Sequence, residues 1–131
     1  EIAQCLVGSE MCIRDRVEEP LDLAAMERAS GYLTGKHDFR SFCGNRRFKK
    51  STVREVFHIG VEVCGSDLTL IYRGDGFLYN MVRILTGTLL EVGLGQRTPE
   101  SMVDILEARE RTAAGKTAPA QGLVLQEVYY C

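Results

Sequence analysis

The most distinctive chemical feature of this 131-residue sequence is a basic segment at residues 36–54. It holds seven Lys or Arg residues and one acid, a net +6, while nine basic and 17 acidic residues elsewhere give −8. Closely spaced cations neutralise nucleic-acid phosphates, and an aromatic ring among them stacks on a base. The candidate contacts are Arg46, Arg47, Phe48, Lys49 and Lys50. The alternative is a charged segment that contacts only solvent.

A second candidate is Arg83, which interrupts a strongly apolar stretch between Val82 and Ile84. A guanidinium in such a place must reach solvent, pair with an acid or face a cleft. No acidic residue follows within one helical turn. An ionic partner would therefore come from another part of the structure.

Other motifs carry weaker predictions. Gly74 and Gly76 favour a strand-to-helix turn over a nucleotide-binding loop, because neither G-x-G-x-x-G nor a Walker pattern is present. His37 and Asp38 are adjacent, but such a pair in a polar stretch is usually not catalytic. The five cysteines form no C-x-x-C pair and there are two histidines, so no zinc site is predicted. An odd number of cysteines without a signal peptide is typical of free thiols in a reducing cytosol.

Composition places the chain among soluble globular domains, with 45% hydrophobic and 26% charged residues. This excludes a disordered tail, a collagen-like fibre and a disulfide-rich miniprotein. No apolar run approaches the ~20 residues that a membrane-spanning helix needs.

The hydrophobic periodicity predicts the order helix, basic loop, strand, strand, helix, helix, strand. Asp22 caps the first helix and Gly35 ends it, and a loop covers residues 36–52. The remaining predicted elements are strands at 53–63 and 68–73, helices at 77–93 and 99–112, and a strand at 123–130. This order predicts an α+β fold in which helices pack on one face of an antiparallel sheet.

Within this pattern, the first strand is expected to turn one apolar face toward the core. That face comprises Phe57, Ile59, Val61 and Val63. Thr98-Pro99-Glu100 is typical of a helix start.

Residues 1–19 follow no clean period. Residues 5–16, CLVGSEMCIRDR, resemble translated adapter sequence. We therefore expect a non-native or disordered leader at residues 1–19 and one domain at residues 20–131.

Three segments together resemble the tRNA pseudouridine synthase A family, and the resemblance covers about residues 20–130. They are GKHDFRSF at 35–42, GFLYNMVRILTGTLLEVG at 76–93 and TAPAQGLVL at 117–125. The second segment is long and highly specific. The order and spacing of all three resemble the C-terminal domain of that family.

The resemblance implies a cytoplasmic, homodimeric enzyme that converts uridine to pseudouridine in the anticodon stem-loop of tRNA, without cofactor or metal. An aspartate attacks the flipped-out nucleotide, and the base rotates and reattaches through carbon.

Site roles follow from the same resemblance. Arg83 matches the arginine that pairs with the catalytic aspartate, and Leu123 matches an apolar residue near the target base. Phe77 and Tyr79 flank this site. Residues 46–50 match the segment that contacts tRNA.

One departure is decisive. The family's nucleophile lies in an Arg-Thr-Asp-Ala-Gly motif of the N-terminal half, and no such motif occurs here. Asp38 and Asp75 lie outside any matching motif, and the active-site tyrosine of that half has no counterpart. We expect residues 20–131 to be a C-terminal domain that is inactive alone. The alternatives are a non-catalytic RNA-binding module and a dimerisation domain that uses helices 77–93 and 99–112.

Overall fold

The computed structural model describes residues 9–16, 20–44, 49–64, 67–78, 80–115 and 123–125. Five strands form one antiparallel sheet in the order β2-β3-β4-β1-β5. The strands are β1 Ser9–Arg16, β2 Gly35–Asp38, β3 Val53–Cys64, β4 Asp67–Gly74 and β5 Leu123–Leu125; the helices are α1 Leu23–Leu33, α2 Met81–Gly93 and α3 Ser101–Ala108. Buried side chains of the helices and of one face of β3 and β4 form a single core. The predicted α+β fold is confirmed.

Helix α1 begins and ends as its sequence predicts. The Asp22 side chain caps it by accepting a hydrogen bond from the Ala25 backbone N–H at 3.1 Å. Gly35 follows the helix with a φ of +101°, a conformation that costs glycine little. Met26, Ala29 and Leu33 are fully buried on one face of the helix.

Strand β3 departs from strict alternation, because a β-bulge lies between Val56 and His58. The extra residue turns Val56 into the core together with Ile59 and leaves the Phe57 side chain 50% exposed. The predicted inward orientation of Phe57 is therefore wrong. Val63, which was predicted on the same inward face, is not buried either: its side chain is 49% exposed at the far end of the strand.

The stretch predicted as one long basic loop contains regular structure at its start. Gly35–Asp38 pairs with β3 as strand β2, and a 3-10 turn follows at Arg40–Phe42. Phe39 and Phe42 are fully buried and their ring centroids lie 6.1 Å apart. These two rings belong to the core, and the surface charge of the segment is built around them.

Helix α2 begins at Met81, four residues later than predicted, because Asn80 adopts a left-handed conformation with φ 58°. Within the core, the Tyr72 hydroxyl lies 2.7 Å from Thr86 Oγ1. Thr86 gives its proton to the Val82 carbonyl, so Tyr72 is the donor in this pair. Burial raises the pKa of the Tyr72 phenol well above its usual value, which keeps it neutral.

Helix α3 begins at Ser101, two residues later than predicted. Met102 and Ile105 are buried, whereas Arg109 is exposed and ends the helix with a φ of 53°. Of the predicted last strand, the structure describes Leu123–Leu125; residues 126–130 lie outside the described residues.

Strand β1 lies inside the segment predicted to be a leader. Residues 9–16 pair along the whole of β4 on one side and with β5 on the other. A strand edge such as that of β4 presents unpaired N–H and C=O groups that another segment can pair with. That residues 1–19 are a leader foreign to the natural protein stays a prediction.

Among the residues that the structure describes, no helix is long and apolar enough to cross a membrane.

Candidate functional site

The corner between β4 and α2 carries the candidate residues Phe77 and Arg83. Two hydrogen bonds tie this corner to β3. The Asp75 N–H donates to the Glu55 carbonyl at 3.0 Å, and the Glu55 N–H donates to Asp75 Oδ1 at 2.9 Å. Asp75 is thus an acceptor that fixes the backbone of the corner.

Gly74 lets the chain pass close to β3 at this corner. A Cβ atom on Gly74 would lie 2.8 Å from the Glu55 carbonyl oxygen and 3.3 Å from Phe77 Cζ. The Phe77 ring therefore lies directly over the Gly74 backbone, partly buried against the core. The predicted strand-to-helix use of the two glycines is confirmed. The role of Phe77 beside a target base stays a prediction.

Arg83 lies in the first turn of α2 and is half-buried. Its Nη1 donates to Asn80 Oδ1 at 3.1 Å. Asn80 is well suited to this place, since asparagine tolerates the left-handed conformation better than most residues. Asn80 was not among the candidate residues predicted from the sequence, although an asparagine immediately before an apolar helical run indicates a helix boundary.

Arg54 connects the basic segment to the corner. Its Nη1 donates to the carbonyls of Ser51 at 2.9 Å and Val53 at 2.8 Å, in the last part of the segment. Its Nε lies 3.7 Å from the position of a Cβ atom on Gly76. The structure therefore brings the end of the basic segment against the corner that precedes Arg83.

The start of the basic segment is anchored by Ser41, which is fully buried. Its Oγ donates to the Ile105 carbonyl at 2.7 Å and accepts from the Glu110 N–H at 2.9 Å. Lys49 and Lys50 are exposed, as a phosphate contact requires. Arg46, Arg47 and Phe48 lie outside the described residues.

Leu123 lies at the opposite edge of the sheet. It is on β5, opposite Ile13 of β1, while the basic segment joins β2 and β3 at the other edge. The structure thus does not bring Leu123 next to the basic segment. Tyr79 lies outside the described residues.

Arg97, in the loop between α2 and α3, links α2 to the chain that follows α3, and it was not singled out from the sequence. Arg97 Nε contacts Glu91 Oε1 at 2.6 Å, and Arg97 Nη1 donates to the Ala113 carbonyl at 3.2 Å. The Gly115 N–H donates to the buried Thr88 Oγ1 at 2.9 Å. These contacts fix the chain ahead of the segment that leads to β5.

No three His, Cys, Asp or Glu side chains of the described part of the chain converge as metal ligands.

Comparison with known proteins identifies the family. A model of the tRNA pseudouridine synthase family matches residues 29–131. The chain belongs to this family. The matched region includes the basic segment, Leu123, and the corner between β4 and α2 together with Arg83. The pseudouridine synthase motifs noted in the sequence thus fall within one continuous match.

Individual synthases agree with this assignment. The chain is 51% identical over 116 residues to tRNA pseudouridine synthase A of Brevibacillus brevis, covering 88% of this chain and 48% of the relative. Its counterpart in Syntrophomonas wolfei is 49% identical over 112 residues, with coverages of 86% and 45%. That of Bacillus pumilus is 50% identical over 110 residues, with coverages of 84% and 44%. The chain spans less than half the length of these relatives.

Proposed function

We propose that the chain is the C-terminal part of a tRNA pseudouridine synthase, and that it supplies Arg83 and tRNA contacts to a site completed by another part of the protein. The observation that carries the proposal is the position of Arg83 within a family match over residues 29–131. Arg83 lies at the start of α2, on a corner that adjoins the basic segment through Arg54. This supports a single scaffold that carries Arg83, proposed for the catalytic carboxylate, and the exposed Lys49 and Lys50, proposed for tRNA phosphates.

In this proposal Arg83 pairs with the nucleophilic aspartate of the other half. A guanidinium within ~4–6 Å of a carboxylate favours its ionised form, which is the form that attacks the nucleotide. Asn80 suits this role because its amide orients the guanidinium at 3.1 Å without neutralising its charge. Leu123, Phe77 and Tyr79 are proposed as the apolar and aromatic surroundings of the target base.

The chain by itself is expected to form no pseudouridine, because it contains no Arg-Thr-Asp-Ala-Gly motif to supply the nucleophile. Unmodified tRNA labelled with tritium at C5 of uracil would release no tritium above background when incubated with residues 1–131. The B. brevis enzyme serves as the positive control. Turnover by this chain alone would contradict the proposed division of the site.

The second candidate is a non-catalytic RNA-binding module. The exposure of Lys49 and Lys50 at the end of the basic segment favours it. Both candidates contact tRNA. They differ because an RNA-binding module functions by itself, whereas the synthase fragment needs the N-terminal half of the enzyme. Activity after the missing half is supplied is what separates the two.

Neutralising the basic segment is expected to flatten the salt dependence of tRNA binding. We replace Arg46, Arg47, Lys49 and Lys50 by alanine. The plot of the logarithm of the binding constant against the logarithm of salt concentration should become less steep by about 3, because each lost phosphate contact removes ~0.7–0.9 from the magnitude of its negative slope. Fluorescence anisotropy with labelled tRNA between low and moderate salt measures this slope. A variant with Arg28→Ala, an exposed arginine on α1, is the control. An unchanged slope in the fourfold variant would assign these cations to solvent.

For the whole protein we propose a homodimer in the cytoplasm that acts on the anticodon stem-loop of tRNA. The family resemblance supports each of these three statements.

A further inference from the structure

Asp38 is the single acid of the basic segment, and its carboxylate touches both ends of the stretch between β2 and β3. Oδ1 accepts a hydrogen bond from the Arg40 N–H at 3.1 Å. The same oxygen accepts a hydrogen bond from Thr52 Oγ1. Arg40 and Thr52 are separated by eleven residues, which carry four of the segment's cations.

Backbone pairing reinforces this closure. The Phe39 N–H donates to the Thr52 carbonyl at 3.0 Å, which extends the ladder of β2 and β3 by one step. Thr52 is buried, so its hydroxyl has little access to water and depends on the Asp38 carboxylate. Asp38 therefore holds the exit from β2 and the entry to β3 at a fixed separation.

The third contact of Asp38 is weaker. Oδ2 lies 3.8 Å from Nε of Arg109, whose side chain is 67% exposed. An ion pair this open to solvent contributes little. The two hydrogen bonds to Oδ1 are accordingly the contacts that matter, and a neutral amide oxygen can accept both of them.

We infer that Asp38 is a positioning residue for tRNA binding: it holds the exit from β2 beside the entry to β3, so that the exposed Lys49 and Lys50, which precede that entry, meet the RNA backbone from a fixed place. The inference rests on the proposed tRNA contact. A preformed surface binds more tightly than one that must be ordered on contact, because the ordering entropy is spent during folding. Asp38 thus strengthens the binding of a polyanion although it carries negative charge itself.

The positioning role of Asp38 and simple electrostatics predict changes in tRNA affinity of opposite sign. Removing an acid from a cationic surface should strengthen RNA binding if charge alone mattered. If Asp38 instead closes the segment, Asp38→Ala should weaken binding, whereas Asp38→Asn, which keeps the acceptor oxygen, should not.

The experiment compares tRNA affinity for the 131-residue chain and four variants by fluorescence anisotropy at fixed salt. Asp38→Ala is expected to weaken binding about fivefold, on the scale of a lost buried hydrogen bond. Asp38→Asn is expected to bind at least as tightly as the wild type. Glu55→Ala, which removes an exposed acid at the same end of β3, is the charge control and should also bind at least as tightly. Thr52→Val removes the other partner at nearly constant volume and should weaken binding as Asp38→Ala does.

The outcomes distinguish a positioning role of Asp38 from a purely electrostatic effect of its charge. Weaker binding by Asp38→Ala and Thr52→Val, with tight binding by Asp38→Asn and Glu55→Ala, supports the positioning role. Thermal unfolding identifies any variant that fails to fold, and Thr52→Val then takes the place of Asp38→Ala. If wild type binds tRNA and the folded Asp38→Ala binds as tightly, the inference is overturned while the tRNA contact stands. If wild type does not bind tRNA, the proposed tRNA contact is overturned, and the inference with it.

Discussion

Replacing Arg83 by alanine is expected to reduce pseudouridine formation on the order of 100-fold or more, which is the scale on which a preorganised charge at a reacting centre acts. The substitution is made in a chimera that joins residues 20–131 to the N-terminal half of the B. brevis synthase, because the chain lacks the nucleophile motif. The reason for the loss is that the catalytic aspartate would have no guanidinium to keep it ionised and oriented. Tritium release from tRNA under single-turnover conditions measures the chemical step.

Two controls make the Arg83 result specific. Arg83→Lys keeps the charge and loses the planar geometry of the guanidinium, so it should retain an intermediate rate. Arg28→Ala removes an exposed arginine from α1 and should react as the parent chimera does. Because Arg83 contacts Asn80, circular dichroism must show that the Arg83→Ala protein is folded. A folded variant that keeps more than a fifth of the parent rate would contradict the assigned role.

Replacing Phe42 by alanine is expected to lower the free energy of unfolding by about 3–5 kcal/mol, the usual cost of removing a fully buried phenylalanine. Phe42 lies within the basic segment, yet none of its surface is exposed and its ring packs near Phe39. The same substitution at Phe57, half of whose surface is exposed by the bulge in β3, should cost less than half as much. Urea denaturation of the 131-residue chain, followed by far-UV circular dichroism, measures both values.

The Phe42 prediction also distinguishes two uses of an aromatic residue among cations. If Phe42 served to stack on a base, its loss would weaken tRNA binding and leave stability unchanged. Equal stability of the Phe42→Ala and Phe57→Ala chains would contradict the packing described for the segment.

Local patterns were sufficient to predict much of the fold. Asp22 and Gly35 mark the two ends of α1. Both were predictable because a capping carboxylate and a glycine of positive φ interact only with residues close to them in the sequence. The β3–β4 hairpin follows from alternation and from the intervening turn residues. The long motif at residues 76–93 predicted the family, which the match over residues 29–131 confirms.

Other features depend on contacts that no local pattern encodes. The bulge in β3 exchanges Phe57 for Val56 in the core, because the register with β4 shifts at that point. Strand β2 was missed because it has four residues, which is too few to display a period. The late start of α2 depends on a single dihedral angle at Asn80, and the apolar pattern from Phe77 onward conceals it.

In the candidate site, too, some features were predictable from the sequence and others were not. Residue type alone predicted that Arg83 has a distant partner and that the basic segment contacts nucleic acid. The contacts that position them are between residues far apart in the sequence: Asp75 with Glu55, and Ser41 with Ile105 and Glu110. Such pairs follow from the topology and were therefore not predicted.

The most direct test of the proposed function is whether the chimera makes pseudouridine. Unmodified tRNA is incubated with the chimera, with residues 20–131 alone and with the B. brevis N-terminal half alone, and pseudouridine in the anticodon stem-loop is mapped by chemical modification and primer extension. We expect the chimera to form pseudouridine there and each half alone to form none. A folded chimera that binds tRNA and leaves every uridine unmodified would contradict the proposal that this chain completes a tRNA pseudouridine synthase.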